Sequence, residues 1–164
     1  MTNVATPPQA LSPTFESKPP LTLIGLQRHY QCTDKSGIAE QWAAFVPLIE
    51  QIVGRASTVA YGVCMNTLET EFDYFCGVEA RDRSAPPQGV TTLFIPEQNY
   101  AIFKHHGRVE CIADTVHRIF AEWMPHSNYV TTGQPTLVER YSEDFEPVSN
   151  TGDVEIWIPI EPVR

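Results

Sequence analysis

Residues 38–78 read IAEQWAAFVPLIEQIVGRASTVAYGVCMNTLETEFDYFCGV and predict a helix followed by two strands. Apolar side chains recur there at intervals of four, three, four and three residues, which places them on one helical face: Ile38, Trp42, Phe45, Ile49 and Ile52. Pro47 interrupts this pattern, so we expect the helix to end near Val46 and a separate turn to follow. The β-branched and aromatic runs 58–64 and 72–78 predict two strands with a polar loop between them.

The same order of elements recurs in the second half of the chain. Residues 91–106 predict strand structure with a break at Pro96-Glu97. A helix ending at residues 123–125 is expected next, because its apolar side chains again share one face: Val109, Ile112, Val116, Ile119, Phe120 and Trp123. Two further strands are predicted at 136–141 and 154–160. A predicted strand at 21–30 precedes the first helix in the corresponding position.

These two copies predict an α+β fold built from a duplicated β-α-β-β unit with pseudo-twofold symmetry. The strands join into one antiparallel sheet, two main helices pack on it, and a ligand cleft lies between the halves. We expect the domain to span residues 14–164, with halves at about 14–83 and 90–161. Residues 1–13, rich in Pro, Ser and Thr, are predicted to form a disordered tail, and the first strand is expected at residue 21.

The composition argues against several classes of partner. The chain has 11 Lys and Arg against 20 Asp and Glu, a formal net charge of −9, and no basic stripe. A nucleic-acid-binding surface needs clustered basic residues, so we expect no direct contact with nucleic acid. No apolar run approaches the roughly 20 residues that span a bilayer, and the N-terminus lacks the features of a signal peptide. We therefore expect a cytoplasmic protein that does not bind membranes.

Metal and nucleophile chemistry have little support in the sequence. His105 and His106 are adjacent, so on a strand they point to opposite faces, and no Cys, Asp or Glu completes a recognised metal-ligand spacing with them or with His117. The four cysteines form no C-x-x-C pair and are expected to be reduced thiols. Neither a G-x-S-x-G motif nor a glycine-rich phosphate loop is present. We predict no metal, no cofactor and no catalytic residue.

The prolines that end the two predicted helices provide an internal alignment of the halves. Aligning Pro47 with Pro125, an offset of 78 residues, places Tyr61 on Glu139. These two residues are therefore expected to lie opposite each other across the pseudo-twofold axis. If the loop before the last strand is taken to be four residues longer in the second half, the alignment also places Phe75 on Trp157. Each of these two aromatic residues lies in the last strand of its half.

Strand alternation groups aromatic side chains around Glu139. Glu139 and Tyr141 share a face of their strand, whereas Trp157 points away from the isoleucine face of the next strand. If Glu139 faces the same way as Trp157, it lies near these rings and near Tyr61 and Phe75. A carboxylate surrounded by aromatic rings can bind an organic cation, because the rings supply contact area and cation–π attraction and the carboxylate supplies the counter-charge.

Two alternative roles for Glu139 are compatible with the same spacing. In the first, Glu139 pairs with Arg140 or another base at the surface and has no ligand. In the second, Glu139 acts as a general base on water while Tyr61 or Tyr141 polarises a substrate. The residues allow such an enzymatic role but do not require it.

Seven motifs, in this order, resemble the GyrI-like effector-binding domain: Tyr61-Gly62-Val63, Phe72-Asp73-Tyr74, Pro87-Gln88-Gly89-Val90, Asn99 to Gly107, Trp123-Met124-Pro125-His126-Ser127, Glu139-Arg140-Tyr141 and Glu155 to Ile160. This is the ligand-sensing domain of many AraC-type regulators and of multidrug-sensing MerR-type regulators. The resemblance covers residues 14 to 161 and implies an aromatic cleft in which a buried glutamate, by motif Glu139, binds lipophilic cations. Trp157 stands where the family usually has a tyrosine, so ligand preference is expected to differ.

The resemblance also implies a function. The chain has no room for a helix-turn-helix segment, so we expect a stand-alone effector-binding protein of the kind found in mobile gene cassettes. It is expected to bind small cationic amphipathic organic molecules without turnover, and to sequester them or signal to a separate transcription factor or to gyrase. The alternatives are a hydrolase of cyclopropane-type natural products that uses Glu139 as general base, and a gyrase-inhibitor-like adaptor. The predicted ligand-binding residues are Glu139, Tyr61, Trp157, Phe75, Tyr141 and Trp42.

Overall fold

Two α-helices and nine β-strands make up the parts of the chain that the computed structural model describes, residues 11–81, 86–142 and 153–164. The helices are α1 (Gly37–Phe45) and α2 (Ile112–Arg118). The strands are β1 (Thr14–Lys18), β2 (Leu21–Gln31), β3 (Arg55–Met65), β4 (Glu71–Ala80), β5 (Thr91–Ile95), β6 (Gln98–His105), β7 (Tyr129–Thr131), β8 (Leu137–Tyr141) and β9 (Val154–Pro162). This order confirms the predicted duplication of a β-α-β-β unit.

Both helices continue into short irregular turns that contain a proline. α1 gives way to a 3-10 turn over Val46–Gln51, as Pro47 predicts, because proline cannot donate a backbone hydrogen bond. α2 is preceded by a 3-10 turn at Val109–Cys111 and continues into a π turn at Ile119–Trp123 and a 3-10 turn at Met124–His126. Within the described ranges, no helix is long and apolar enough to cross a membrane.

The buried side chain of Gln41 attaches α1 to the sheet. Its Nε2 donates to the backbone carbonyls of Leu26 at 2.8 Å and Tyr74 at 3.0 Å. Its Oε1 accepts a hydrogen bond of 2.7 Å from the Tyr30 hydroxyl. Because these groups belong to β2 and β4, the amide fixes the helix over those two strands and places the next residue, Trp42, near the centre of the sheet.

The sheet is antiparallel throughout its described pairings, in the order β1-β6-β9-β8-β3-β4-β2-β5, with β7 added on β9. β8 and β3 meet at the centre, so the pseudo-twofold axis passes between them. β1 and β2 are joined only by Pro19 and Pro20, yet five strands separate them in the sheet order. The same holds for β5 and β6, which are joined by Pro96-Glu97. The sheet must therefore curl until its two edges approach each other.

Each half donates a short leading strand to the other half. β1 pairs with β6, the first strand of the second unit, and β5 pairs with β2, the first strand of the first unit. The expectation that order begins at residue 21 is therefore wrong, since β1 precedes it. A five-residue strand between prolines is too short to show periodicity, and its partner is distant in sequence. β7 was not predicted either.

Part of the predicted N-terminal tail, residues 1–10, lies outside the described residues. Leu11, in the last part of that segment, is partly buried and packs against the apolar cluster under α2.

The two faces of the sheet carry different cores. The helix face, covered by α1 and α2, holds one cluster under each helix. The inner face is covered by no helix within the described chain, and the curl of the sheet itself buries its cluster of strand residues: Leu23, Val59, Tyr61, Val63, Met65, Phe75, Ile95, Tyr100, Ile102, Val138 and Trp157. The face to which a side chain points therefore decides which neighbours it can have.

Candidate functional site

Glu139 lies in the middle of β8 and points to the helix face. The strand register pairs it with Gly62 of β3 on one side and with Ile156 of β9 on the other. Directly paired residues of an antiparallel sheet share a face, and Ile156 belongs to the apolar cluster under α2. Glu139 is 8 % exposed, so the centre of the sheet holds a buried carboxyl group next to the pseudo-twofold axis.

Three aromatic side chains surround this carboxyl group. The hydroxyls of Tyr74 and Tyr141 donate hydrogen bonds to the same oxygen, Glu139 Oε1, at 2.7 and 2.9 Å. The Trp42 indole Nε1 donates to the Tyr74 hydroxyl at 3.2 Å. The rings of Trp42 and Tyr141 pack edge to face with their centroids 5.4 Å apart. We call Glu139, Tyr74, Tyr141 and Trp42 the glutamate cluster.

Gly62 supplies the space in which the glutamate cluster forms. A Cβ atom added at this position would overlap the Tyr74 hydroxyl and would lie 2.5 Å from Glu139 Oε1. Any side chain here would therefore separate the phenol from the carboxylate or displace the strand. The glycine is needed for the close approach of two polar groups on neighbouring strands.

Burial dominates the electrostatics of the glutamate cluster. Loss of solvation raises the pKa of Glu139, and the hydrogen bonds from Tyr74 and Tyr141 oppose that shift by stabilising the carboxylate. Burial, followed by the charge of Glu139, raises the pKa of both tyrosines well above the usual value. The phenols therefore remain protonated donors. Among the described residues, no lysine or arginine forms an ion pair with Glu139.

The six predicted site residues lie on two faces. Glu139, Tyr141 and Trp42 meet on the helix face, whereas the other three belong to the inner-face cluster: Tyr61, Phe75 and Trp157. The expected placement of Glu139 beside Trp157 is therefore wrong. Trp157 pairs instead with Val138, the neighbour of Glu139 in β8, so the two side chains point to opposite sides of the sheet.

The expected equivalence of Tyr61 and Glu139 fails for the same reason. Tyr61 pairs with Arg140 and faces inward with it. An alignment based on the helix-ending prolines misses the correct equivalence by an odd number of residues, and such a shift reverses the face of every side chain. The alternative in which Glu139 pairs with Arg140 also fails, because Arg140 approaches Glu155, at 3.9 Å.

Tyr74, a member of the glutamate cluster, and Gly62, which makes room for it, were not predicted. Both lie within motifs that carry the family resemblance. Alternation along β4 puts Tyr74 on the same face as Phe72 and Cys76, and this apolar face is the one that a helix must cover. Assigning Glu139 to the helix-covered face would therefore have identified Tyr74 as its neighbour.

The inner face carries an open cavity of about 430 Å³. Its aromatic lining is Tyr61, Tyr100 and Trp157, and its charged lining is Glu16, Lys18, Glu79, Arg140 and Glu155. Phe75 is fully buried in the same core and does not line the cavity.

Two of the three histidines considered as metal ligands have other partners. His105 Nδ1 lies 2.8 Å from the Thr115 hydroxyl and His105 Nε2 lies 3.0 Å from the Arg108 carbonyl. His106 lies 3.2 Å from a carboxylate oxygen of Asp153. Over the described parts of the chain, no group of three or more His, Cys, Asp and Glu residues could hold a metal ion.

Solved structures with the same fold include one protein bound to a ligand, one in a complex with DNA and one integron cassette protein. SAV2435 bound to tetraphenylphosphonium matches with a TM-score of 0.70 and 19 % identity over 92 % of this chain and 94 % of that chain. EcmrR in a complex with DNA matches with a TM-score of 0.69 and 15 % identity, covering 93 % and 58 %. The integron cassette protein VCH_CASS2 of Vibrio cholerae matches with a TM-score of 0.66 and 14 % identity, covering 93 % and 100 %.

A sequence relative is the transcriptional regulator BrlR of Pseudomonas aeruginosa, 26 % identical over 145 residues. The match covers 87 % of this chain and 53 % of BrlR, so the chain spans about half the length of that curated relative. Residues 11–161 match the GyrI-like small molecule binding domain. The duplicated fold agrees with this match, and the chain belongs to the GyrI-like family of small-molecule-binding domains.

Proposed function

We propose that this domain binds an amphipathic organic cation on the helix face and uses Glu139 as the counter-charge. The observation behind the proposal is that Glu139 is buried among three aromatic side chains and has no basic ion-pair partner among the described residues. Burying a carboxylate without an ion-pair partner costs free energy, which the raised pKa of Glu139 reflects, although the charge of His105 opposes that shift in part. A bound cation would recover part of that cost.

Each member of the glutamate cluster has a role in this proposal. Tyr74 and Tyr141 hold the carboxylate by donating to Oε1, which leaves the group oriented when no ligand is bound. Trp42 is partly buried and packs against both helix-face clusters, so it lies between the two halves. A cation that reaches Glu139 must move or stack on Trp42. Displacing its hydrogen bond to Tyr74 costs about 0.5–1.5 kcal/mol, whereas a desolvated cation–π contact returns about 2 kcal/mol.

Similar proteins support the ligand class. SAV2435, which shares the fold, was solved with tetraphenylphosphonium, a lipophilic cation. Extending that ligand class to this chain is part of the proposal. BrlR is a transcriptional regulator and EcmrR was solved with DNA. We propose that a domain of this kind either sequesters the cation or reports its presence to a transcription factor or to gyrase.

A hydrolase is the second candidate, because burial raises the pKa of Glu139 toward the range in which a carboxylate can take a proton from water. In that case the ligand would be a strained cyclopropane-type natural product, and Glu139 would act as general base.

Replacing Glu139 by Gln tests the proposal. The binding of tetraphenylphosphonium, measured by calorimetry, should weaken by roughly 1–3 kcal/mol, which corresponds to about 5- to 150-fold. The binding of triphenylphosphine oxide, a neutral relative of the cation, should change little. Glu161→Gln, which removes an exposed carboxylate on β9, is the matched control and should leave both affinities unchanged.

Three outcomes separate the candidates. Equal losses for the cationic and the neutral ligand would refute the counter-charge. Turnover of a cyclopropane-containing substrate that disappears in the Glu139→Gln variant, while binding persists, would favour the hydrolase. If no lipophilic cation raises the melting temperature of the wild-type protein, the binding proposal fails, because a ligand in excess must stabilise the folded state that binds it.

A further inference from the structure

The open cavity of the inner face is separate from the glutamate cluster. Glu139 and Tyr141 point to the helix face, whereas Tyr61, Arg140 and Trp157 point inward across the same central strands. The body of the sheet therefore lies between the two sites. A volume of about 430 Å³ falls within the range of small-molecule sites.

Aromatic rings form one side of this cavity. The Trp157 ring packs edge to face with Tyr61 at a centroid distance of 6.0 Å and is tilted against Tyr100 at 5.4 Å. The Trp157 indole Nε1 donates to Glu155 at 3.1 Å, which fixes the orientation of the ring. Because the planes of Tyr61 and Tyr100 are inclined to that of Trp157 by 73° and 51°, the flat face on which a ligand could stack is that of Trp157. Trp157 is 5 % exposed, since Lys18 lies over its ring.

A cation already occupies the position above that surface. The ammonium group of Lys18 lies 4.9 Å from the centroid of the Trp157 ring, within the range of a cation–π contact. Lys18 is the last residue of β1, an edge strand whose described pairing is with β6 alone. Its side chain is 28 % exposed, and its described ion pair is with Glu16 at 3.5 Å. A flexible lysine at a strand end can leave the ring without breaking the sheet.

The charges of the cavity lining favour a positive ligand. Its two bases each have an acid nearby, Lys18 with Glu16 and Arg140 with Glu155. The third acid, Glu79, forms no ion pair with any described residue. Burial raises the pKa of Tyr61, Arg140 opposes that shift, and the charges of Glu79 and Glu155 add to it by smaller amounts. Glu79 and Glu155 also line the cavity, so both carboxylates act on its interior.

We propose that the inner-face cavity is a second ligand site, which takes a planar aromatic cation. In the free protein the ammonium group of Lys18 occupies the position over Trp157 that the cationic ligand would take. The incoming ring system stacks on Trp157, its charge replaces the ammonium group, and Glu79 becomes its counter-charge. This site does not depend on Glu139, so the two proposals can fail separately.

The test uses proflavine, a planar tricyclic cation, in fluorescence titrations of the full chain in the Glu139→Gln background. That background removes the counter-charge of the helix-face site, and proflavine should still bind with one equivalent. Lys18→Met should then tighten binding about two- to fivefold, because the competing cation–π contact is gone. Glu79→Gln should weaken binding by a similar factor. Acridine, uncharged at neutral pH, should respond to neither change.

Matched controls distinguish a local effect from the overall charge of the protein. Lys35→Met removes another lysine that lies over a ring, at 6.0 Å from Phe72, on the helix face. Glu161→Gln removes an acid outside the cavity. Neither should alter proflavine affinity. Lys18→Arg keeps a cation that stacks on aromatic rings and should restore the weaker wild-type affinity.

Two results would overturn the second site. One is the loss of proflavine binding in the Glu139→Gln background, which would leave the helix-face proposal intact. The other is an equal response to Lys18→Met and Lys35→Met, which would show a general charge effect. Conversely, tetraphenylphosphonium binding that ignores Glu139→Gln, together with proflavine binding that responds to Lys18→Met, would refute the helix-face proposal alone.

Discussion

Replacing Gly62 by Ala should disrupt the glutamate cluster through a single methyl group. The added carbon would overlap the Tyr74 hydroxyl and approach Glu139 Oε1, and both atoms end buried side chains on the neighbouring strands, which have little room to shift. Overpacking a well-packed site costs about 1–3 kcal/mol. Losing a hydrogen bond to a charged group adds about 1.5–3 kcal/mol.

We therefore expect the free energy of unfolding to fall by about 3–5 kcal/mol in the Gly62→Ala variant, since the two contributions overlap in part. For a chain of this size, 1 kcal/mol shifts the melting temperature by about 2–4 °C, so the expected loss is roughly 6–20 °C. Urea denaturation followed by circular dichroism measures the change directly.

A double-mutant cycle with Tyr74→Phe tests the physical cause. Removing the phenol oxygen removes the nearest obstacle to the new methyl group and also the hydrogen bond that the methyl group would break. Gly62→Ala should therefore cost at least 1 kcal/mol less in the Tyr74→Phe background than in the wild type. The same cost in both backgrounds would refute the proposed overlap, as would a loss below about 0.5 kcal/mol in the wild type.

Two further variants test the cluster. Burial raises the pKa of Glu139 in the folded state, so its carboxyl contributes most to stability below its unfolded pKa, and that contribution is lost as pH rises through the folded pKa. The free energy of unfolding of Glu139→Gln should therefore increase relative to wild type as pH rises through this window, and a pH-independent difference in urea titrations would contradict the shift. Trp42→Phe should cost about 0.5–1.5 kcal/mol by removing the hydrogen bond to Tyr74, and an unchanged urea midpoint would exclude that bond.

The main elements of the fold were accessible from local patterns. The apolar stripe that includes Trp42 predicts α1, Pro47 predicts its end, and the β-branched run around Tyr61 predicts β3. These signals arise from the helical and strand periods and from the missing N–H of proline, which act within a few residues. Their recurrence in the second half predicted the duplication, which the sheet order confirms.

The leading strand β1 shows where local patterns stop being informative. Its five residues pair with residues of β6 that lie 80 to 88 positions away in sequence, and the pairing makes it a strand. A signal was nevertheless present in the duplication. Pro19-Pro20 precedes β2 as Pro96-Glu97 precedes β6, and the strand predicted before Pro96 has its counterpart in β1.

The motif identified Glu139 as the central acidic residue, but it did not identify the side chains that surround Glu139. Alternation separates Glu139 and Tyr141 from Arg140 on the basis of sequence alone, because successive side chains in a strand point to opposite faces. Which of the two faces carries the helices depends on the lengths of the irregular segments before β3 and β8. If one of these segments differed in length by one residue, Glu139 would point to the opposite face of the sheet. Its neighbour would then be Trp157 instead of Tyr74. The pairing of Glu139 with Gly62, which lie on strands that are adjacent in the sheet but distant in sequence, decides which face Glu139 occupies.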